Sequence, residues 1–181
     1  MKILVYALAL NTVSQLCPAG DWLEAYNVVW NTPSKNASES MPVGGHSIGL
    51  NVWVEDGNVL FYAQRSGCFT ENNEYHKLGR FRLTLDPNPF NGGSAFRQEL
   101  KLRQGYVEME AKGVLVHLWA EALRPVIHLD VKSDRKIDAQ VTYEGWRNAE
   151  EALPMNGTKA RFGCFSWDGY PGQVIRYPDV V

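Results

Sequence analysis

Apolar and polar residues alternate one by one along the middle of the chain, which is the pattern of strands that are buried on one face. Between positions 48 and 55, one face carries Ile48, Leu50, Val52 and Val54, and the other carries Gly49, Asn51, Trp53 and Glu55. The dipeptide Asp56-Gly57 follows and favours the positive φ angles of a type I′ turn. Because alternation resumes over positions 58–65, the pattern predicts a β-hairpin.

The same alternation predicts further strands over positions 79–86, 96–103, 106–111, 114–122, 126–132 and 137–144. Positions 22–30 fit either a helix or a strand, and we favour a strand over 26–30. No segment has a convincing helical pattern. Strands separated by short turns are typical of an all-β, antiparallel β-sandwich, which is the fold class that we expect.

Two regions rich in proline, glycine and small polar residues predict loops, at positions 31–45 and 86–93. Beyond Trp146 only short apolar pieces remain, so the sandwich is expected to be incomplete at its C-terminus. Strands missing beyond Val181 would leave inward residues of the last strands partly uncovered, namely Val116, Leu118, Ile127 and Leu129. The isolated chain is therefore expected to self-associate or to bind a hydrophobic dye.

The length and charge of the chain exclude several classes of protein. Its 181 residues are 45% hydrophobic, which suits a single globular domain over 20–181. Eighteen basic and twenty acidic residues give a net charge of -2, with no run of like charges for nucleic acid. No stretch approaches the roughly 18 apolar residues of a membrane span.

The first residues have the order of a secretory signal. Lys2 precedes the apolar run Ile3–Leu10, and small residues follow up to Ala19. This order predicts a signal peptide over 1–19 and a secreted, extracellular protein, and the alternative is an ordinary first strand or a frayed terminus. The sequons at Asn36 and Asn156 are candidate N-glycosylation sites that fit secretion.

The cysteines and histidines lack the close spacing of metal ligands, so neither a metal nor another cofactor is expected. Cysteines stand at positions 17, 68 and 164. After removal of the signal, Cys68 and Cys164 would remain as a candidate disulfide, and two buried free thiols are the equal alternative.

No catalytic residue can be assigned from the sequence. There is no Gly-x-Ser-x-Gly motif, and none of the twenty acids can be paired for glycoside hydrolysis. The aromatic residues in or near loops and strand faces suit stacking on sugar rings or filling of the core: Trp30, Trp53, Trp146, Trp167 and Tyr170.

Several segments, taken in order, resemble a known family. They are Trp30–Ser34, Ser40–Val54 with its hairpin, Lys77–Arg82, Phe96–Leu102 and Pro125–Leu129. Together they resemble an N-terminal domain family of unknown function at the head of glycosidase-like proteins. That family is similar to the N-terminal β-supersandwich of family-95 glycoside hydrolases, the α-L-fucosidase group. The chain departs from the family in having Gly44-Gly45-His46 where Gly-Asn-Gly is usual, and Phe69 where tryptophan is frequent.

The resemblance implies a non-catalytic, supersandwich-like module that supports an adjoining (α/α)6 barrel, which would carry the catalytic carboxylates. The expected partner is a carbohydrate, and the candidate substrate contacts are Trp30, His46 and Trp53. A free-standing carbohydrate-binding protein is the alternative, and a small glycosidase is a second one.

Overall fold

The computed structural model describes residues 21–91, 95–162 and 165–179. A short helix, α1 (Asp21–Glu24), and one 3-10 turn (Ala37–Glu39) accompany the strands. The strands are β1 (Val28–Trp30), β2 (Met41–Gly45), β3 (Ile48–Glu55), β4 (Asn58–Phe69), β5 (Tyr75–Asp86), β6 (Arg97–Lys101), β7 (Tyr106–Ala111), β8 (Val114–Ala120), β9 (Ile127–Ser133), β10 (Asp138–Glu144), β11 (Glu151–Ala152), β12 (Ala160–Phe162), β13 (Phe165–Trp167) and β14 (Ile175–Arg176).

Ten of the strands form two antiparallel sheets of five strands each. Sheet 1 has the order β1-β6-β7-β8-β9, and sheet 2 has the order β10-β5-β4-β3-β2. The sheets pack together, and β2 and β3 of sheet 2 lie against β8 of sheet 1. This arrangement confirms the predicted all-β, antiparallel sandwich.

The core lies between the two sheets and consists of side chains at alternate positions. Val52, Val54 and Val59 of sheet 2 have no exposed surface, and neither do Val107 and Val116 of sheet 1. A polar side chain, that of Gln98, is also fully buried. Its Nε2 donates to the Val52 carbonyl at 3.4 Å, whereas its Oε1 has no partner among the described residues. Branched apolar side chains that alternate along the strands therefore join the sheets.

The predicted hairpin is confirmed residue by residue. Val54 pairs with Val59, and Glu55 pairs with Asn58. Between them Asp56 and Gly57 both have positive φ, 48° and 75°, as a type I′ turn requires.

The predicted loop over 31–45 is wrong in its last part, because β2 lies there. Met41 and Val43 point into the core while Pro42 and Gly44 are exposed, so period-two alternation is present. Pro42 led to the prediction of a loop, although a proline is tolerated in an edge strand such as β2. The two-residue turn falls at His46 and Ser47, with His46 at a φ of 49°.

The ambiguous N-terminal segment contains both kinds of structure. Positions 21–24 are helical, and the strand is limited to Val28–Trp30 rather than the expected 26–30. Asn27 joins the two, since its side chain donates to Glu99 at 2.9 Å and accepts from the Leu102 amide at 3.0 Å. This pairing with distant residues decides where the strand starts.

The inward residues expected to be uncovered are covered to a large extent. Val116 and Leu118 have no exposed surface, which corrects that expectation, because the opposite sheet packs on β8. Ile127 and Leu129 are half-buried against the core. The uncovered inward positions lie in β10 instead, where Val141 is 53% exposed.

Residues 145–162 and 165–179 form two short antiparallel pairs, β11 with β14 and β12 with β13, and contact the turn between β4 and β5 through Arg147, Ile175 and Arg176. Ala160 and Val174 are buried within this segment, and we call it the C-terminal layer. The expected signal peptide lies outside the described residues. Within them, no helix has the length and apolar character needed to cross a membrane.

Candidate functional site

Three adjoining depressions lie on the outer face of sheet 2. Their volumes are about 440, 330 and 380 Å³. They share lining residues, since Tyr62 and Lys77 border the first two and Gly49 and Gln64 border the last two. We call this continuous surface the outer groove. Its lining includes His46, Gly49, Asn51, Tyr62, Gln64, Tyr75, His76, Lys77 and Trp146.

The floor of the outer groove is open because glycine provides no side chain there. Gly44 pairs with Gly49 across β2 and β3, and Gly49 in turn pairs with Gln64 of β4. A Cβ atom at Gly49 would meet no atom within 4 Å. The neighbouring row carries Asn51 and Tyr62, so polar amides border the glycine floor on one face of the sheet.

Three aromatic rings contact one another across the groove, in tilted and edge-on pairs. The Trp53 ring lies at 4.9 Å from the Tyr62 ring, between centroids, and Trp146 meets Tyr62 edge-on at 5.7 Å and 80°. Trp53 is 1% exposed and its Nε1 donates to Glu55 at 2.7 Å, whereas Trp146 is 47% exposed. Trp53 therefore supports Tyr62 from below, and Tyr62 and Trp146 present the accessible aromatic surface.

Ion pairs attach the C-terminal layer to the groove. Arg147 donates to both carboxylate oxygens of Glu71, at 3.0 and 2.7 Å, and its side chain is only 9% exposed. Arg176 bridges Glu74 and Glu151, at 2.9 Å to each. Trp146 precedes Arg147 directly, so these contacts fix the position of the indole beside Tyr62.

Glu71 is held in its charged form. Burial raises the pKa of Glu71, but hydrogen bonds from the Tyr177 amide and Arg147 more than offset this, and the pKa lies below its usual value. The hydrogen bond to Glu74 is the main reason that the pKa of Arg176 is raised. The carboxylates of Glu71, Glu74 and Glu151 are therefore acceptors that already have partners.

The structure separates the three candidate contact residues. His46 is exposed at one end of the outer groove. Trp53 lies beneath Tyr62, so a ligand on this face would meet Tyr62 first. Trp30 lines a different depression, with Pro33 and Lys35. These residues do not form a single site, and their role as contacts stays a prediction.

The remaining candidate modifications lie apart from the outer groove. Cys68 is a half-buried free thiol in β4, and Cys164 lies outside the described residues, so their pairing stays a prediction. Asn36 is exposed and its Oδ1 accepts from the Ser38 amide at 2.9 Å. Asn156 is exposed in a turn closed by Lys159. In the described parts of the chain, no group of three or more acids, histidines and cysteines is placed to hold a metal.

Sequence reasoning identified Trp146 as a candidate aromatic but missed Tyr62, Gln64 and Lys77. The sequence did contain a pattern that could have indicated this site. Leu60, Tyr62 and Gln64 share the outer face of β4, and a strand face in contact with solvent seldom has no charged residue. Only the fold brings Trp146 to Tyr62.

Chemically, the outer groove can bind but has few means to react. Flat aromatic faces fit the apolar face of a sugar ring, and amides donate to or accept from its hydroxyls. The two acids that line it, Glu74 and Glu151, are both bound to Arg176. The outer groove thus combines accessible aromatic and amide groups on one face of an antiparallel β-sandwich.

The family of this chain is shown by its sequence. Residues 29–181 match the domain of unknown function DUF5703, and the chain belongs to that family. The match begins at residue 29, one residue before Trp30, where the resemblance to the family was expected to begin. No curated protein matches the chain.

Proposed function

We propose that this chain is a non-catalytic β-sandwich module that binds carbohydrate through its outer groove. The observation that carries the proposal is the aromatic surface of Tyr62 and Trp146 beside the amides of Asn51 and Gln64, over an open glycine floor. Stacking and hydrogen bonding to hydroxyls are the two interactions that a sugar offers together.

The pairing of the acids supports a non-catalytic role. A glycosidase needs one carboxyl group free to donate a proton and a second one to act as base or nucleophile. Glu74 and Glu151 instead share Arg176, which lies 2.9 Å from each carboxylate. Both acids that line this end of the groove are therefore engaged in an ion pair.

The resemblance to the N-terminal β-supersandwich of family-95 glycoside hydrolases supports a modular role. The module would stand beside an (α/α)6 barrel in a longer, secreted protein and would hold a glycan near the barrel's cleft. Downstream genomic sequence tests this part of the proposal. Continuous coding sequence for a helical barrel with paired acids supports it, and a stop after Val181 with no partner gene nearby contradicts it.

Binding is tested by calorimetric titration of the full chain with a panel of neutral and acidic oligosaccharides. Trp146→Ala removes an exposed ring of the groove, and we expect at least a fivefold loss of affinity, since a stacked aromatic contributes on the order of 1 kcal/mol. Trp119→Ala is the matched control, because Trp119 pairs with His128 on the outer face of sheet 1.

Equal affinity in Trp146→Ala and the unaltered chain would place the sugar elsewhere. No heat with any glycan, together with tryptophan fluorescence that no ligand changes, would contradict carbohydrate binding. Hydrolysis of an aryl glycoside by the chain, lost on substitution of one acid, would instead favour a small glycosidase.

A further inference from the structure

The charged side chains of the outer groove are unevenly distributed. Near Trp146 the carboxylates of the lining and of the adjoining turn have cationic partners: Glu71 pairs with Arg147, and Glu74 and Glu151 pair with Arg176. Asp179 lies 3.6 Å from His76 and 3.5 Å from Arg147. The two acids that line this end of the groove, Glu74 and Glu151, are therefore already paired within the described residues.

Lys77 is different, because its ammonium forms no ion pair with any carboxylate in the described parts of the chain. Its Nζ lies 4.8 Å from the centre of the Tyr62 ring. A ring face attracts a cation but does not neutralise it, and at exposed positions such a contact is worth only about 0.5–1 kcal/mol. The Lys77 charge remains available while the ring keeps the side chain over the groove.

The glycine half of the groove, on the far side of Lys77, contains no acid. Its polar lining consists of Asn51, Gln64 and Lys77 beside Gly44 and Gly49. The Asn51 amide donates to Ser40 at 3.0 Å, which leaves its carbonyl oxygen for a ligand, and the Gln64 amide has no hydrogen bond to the described residues. A single positive charge thus stands over an uncharged floor with free amide groups.

We infer that the outer groove selects acidic sugars, with the carboxylate of a uronic acid residue placed at Lys77. The inference rests on the proposed carbohydrate binding and specifies its ligand. A uronate ring placed against the exposed indole of Trp146 would direct its carboxylate to the ammonium over Tyr62 and its hydroxyls to Asn51 and Gln64. A sulfate ester would present the same charge with a different geometry, and the titrations separate the two.

The first experiment compares an oligouronate, its neutral analogue of equal length and a sulfated analogue, each titrated against the full chain. Lys77→Gln is expected to weaken oligouronate binding about fivefold, the upper range for an exposed charge pair, and to leave the neutral analogue unchanged. Raising the salt from 0.05 to 0.5 M should weaken binding of the oligouronate alone, since exposed charges are screened.

Lys132→Gln is the matched control, because Lys132 is an exposed lysine on the outer face of β9 in the other sheet. Gly49→Leu is a second variant, since a Cβ atom at Gly49 meets no atom within 4 Å and the added side chain would occupy the floor of the groove. It should reduce the binding of every glycan while the chain keeps its fold, which circular dichroism can check.

The outcomes separate this inference from the proposed function. If the neutral analogue binds as well as the oligouronate, and Lys77→Gln changes neither, selection of acidic sugars is wrong although carbohydrate binding stands. Tighter binding of the sulfated analogue would replace the uronate with a sulfated sugar. If no glycan binds and Gly49→Leu changes nothing, both proposals are overturned.

Discussion

Gly45 and Gly49 stand on adjacent strands in the same hairpin, yet their surroundings are opposite. A Cβ at Gly45 would lie 2.3 Å from the Ala120 carbonyl oxygen and 2.7 Å from that of Glu121. These are backbone atoms at the end of β8 and cannot rotate away. Gly45 is thus the point where β2 closes on sheet 1.

We predict that Gly45→Ala lowers the free energy of unfolding by about 1–3 kcal/mol, the usual cost of forcing extra atoms into packed structure. Gly49→Ala is the control, and it should be neutral or slightly stabilising, since it restricts the unfolded chain without any contact. Denaturation in urea measures both. Equal stability of the two variants would show that β2 does not lie against β8 as described.

At the scale of elements, the C-terminal layer depends on the turn between β4 and β5. Glu71 accepts from Arg147 and from the Tyr177 amide at 2.6 Å, and the Asn72 side chain donates to the Ile175 carbonyl at 2.9 Å. Glu71 and Asn72, two successive residues of one turn, therefore contact both the first and the last residues of the layer. These contacts position Trp146, which directly precedes Arg147.

We predict that the layer loosens in acid. The pKa of Glu71 is lower in the folded state than its ordinary value of 4.5, so its stabilising effect is complete above pH 4.5 and is lost as the pH falls through the folded pKa. The protection factors of the amides at 151–153 and 174–177, corrected for the intrinsic exchange rate at each pH, should fall more on acidification than those of β7.

Glu71→Gln should lower the protection factors of those amides at neutral pH and reduce their additional fall in acid, with a loss of local stability on the order of 1 kcal/mol. Glu110→Gln is the control, because Glu110 is an exposed acid on β7 with no partner in the described parts of the chain. Unchanged exchange in Glu71→Gln would show that Glu71 does not hold the layer.

At the scale of the whole molecule, the two sheets do not cover each other completely. β10 is an edge strand of sheet 2, and its inward side chains Val141 and Tyr143 are 53% and 41% exposed. Exposed apolar side chains on a strand whose outer edge is unpaired favour association with other strands. This edge, rather than Val116 and Leu118, is where a tendency of the chain to self-associate would arise.

We predict that the chain elutes in part as oligomers and binds a hydrophobic dye, and that Val141→Lys reduces both effects with little loss of stability. Thr142→Lys adds the same charge on the opposite face of β10 and should have a smaller effect, because it leaves the apolar side chains uncovered. A monomeric profile of the unaltered chain without dye binding would contradict this prediction.

The strands of the two sheets were predictable from the sequence, because strand formation here depends on residues two positions apart and on local turns. Positions 48–55 and 106–111 matched β3 and β7 at both ends. The turn at Asp56 and Gly57 was equally local, since the backbone angles of two residues decide it. Strand β2 was not predicted, because Pro42 is typical of a loop. The sequence alone does not show that Pro42 lies in an edge strand, where a proline is tolerated.

The outer groove was decided only by the tertiary structure. Alternation assigned Trp53 and Tyr62 to the outer face of sheet 2 but could not tell that the C-terminal layer would lie beside them. The contact that positions the layer joins Arg147 to Glu71, which are 76 residues apart. Such a pairing leaves no local pattern, because each residue alone is an ordinary surface charge. Local periodicity determined the sheets, whereas long-range side-chain contacts determined where the aromatic rings, the amides and Lys77 meet.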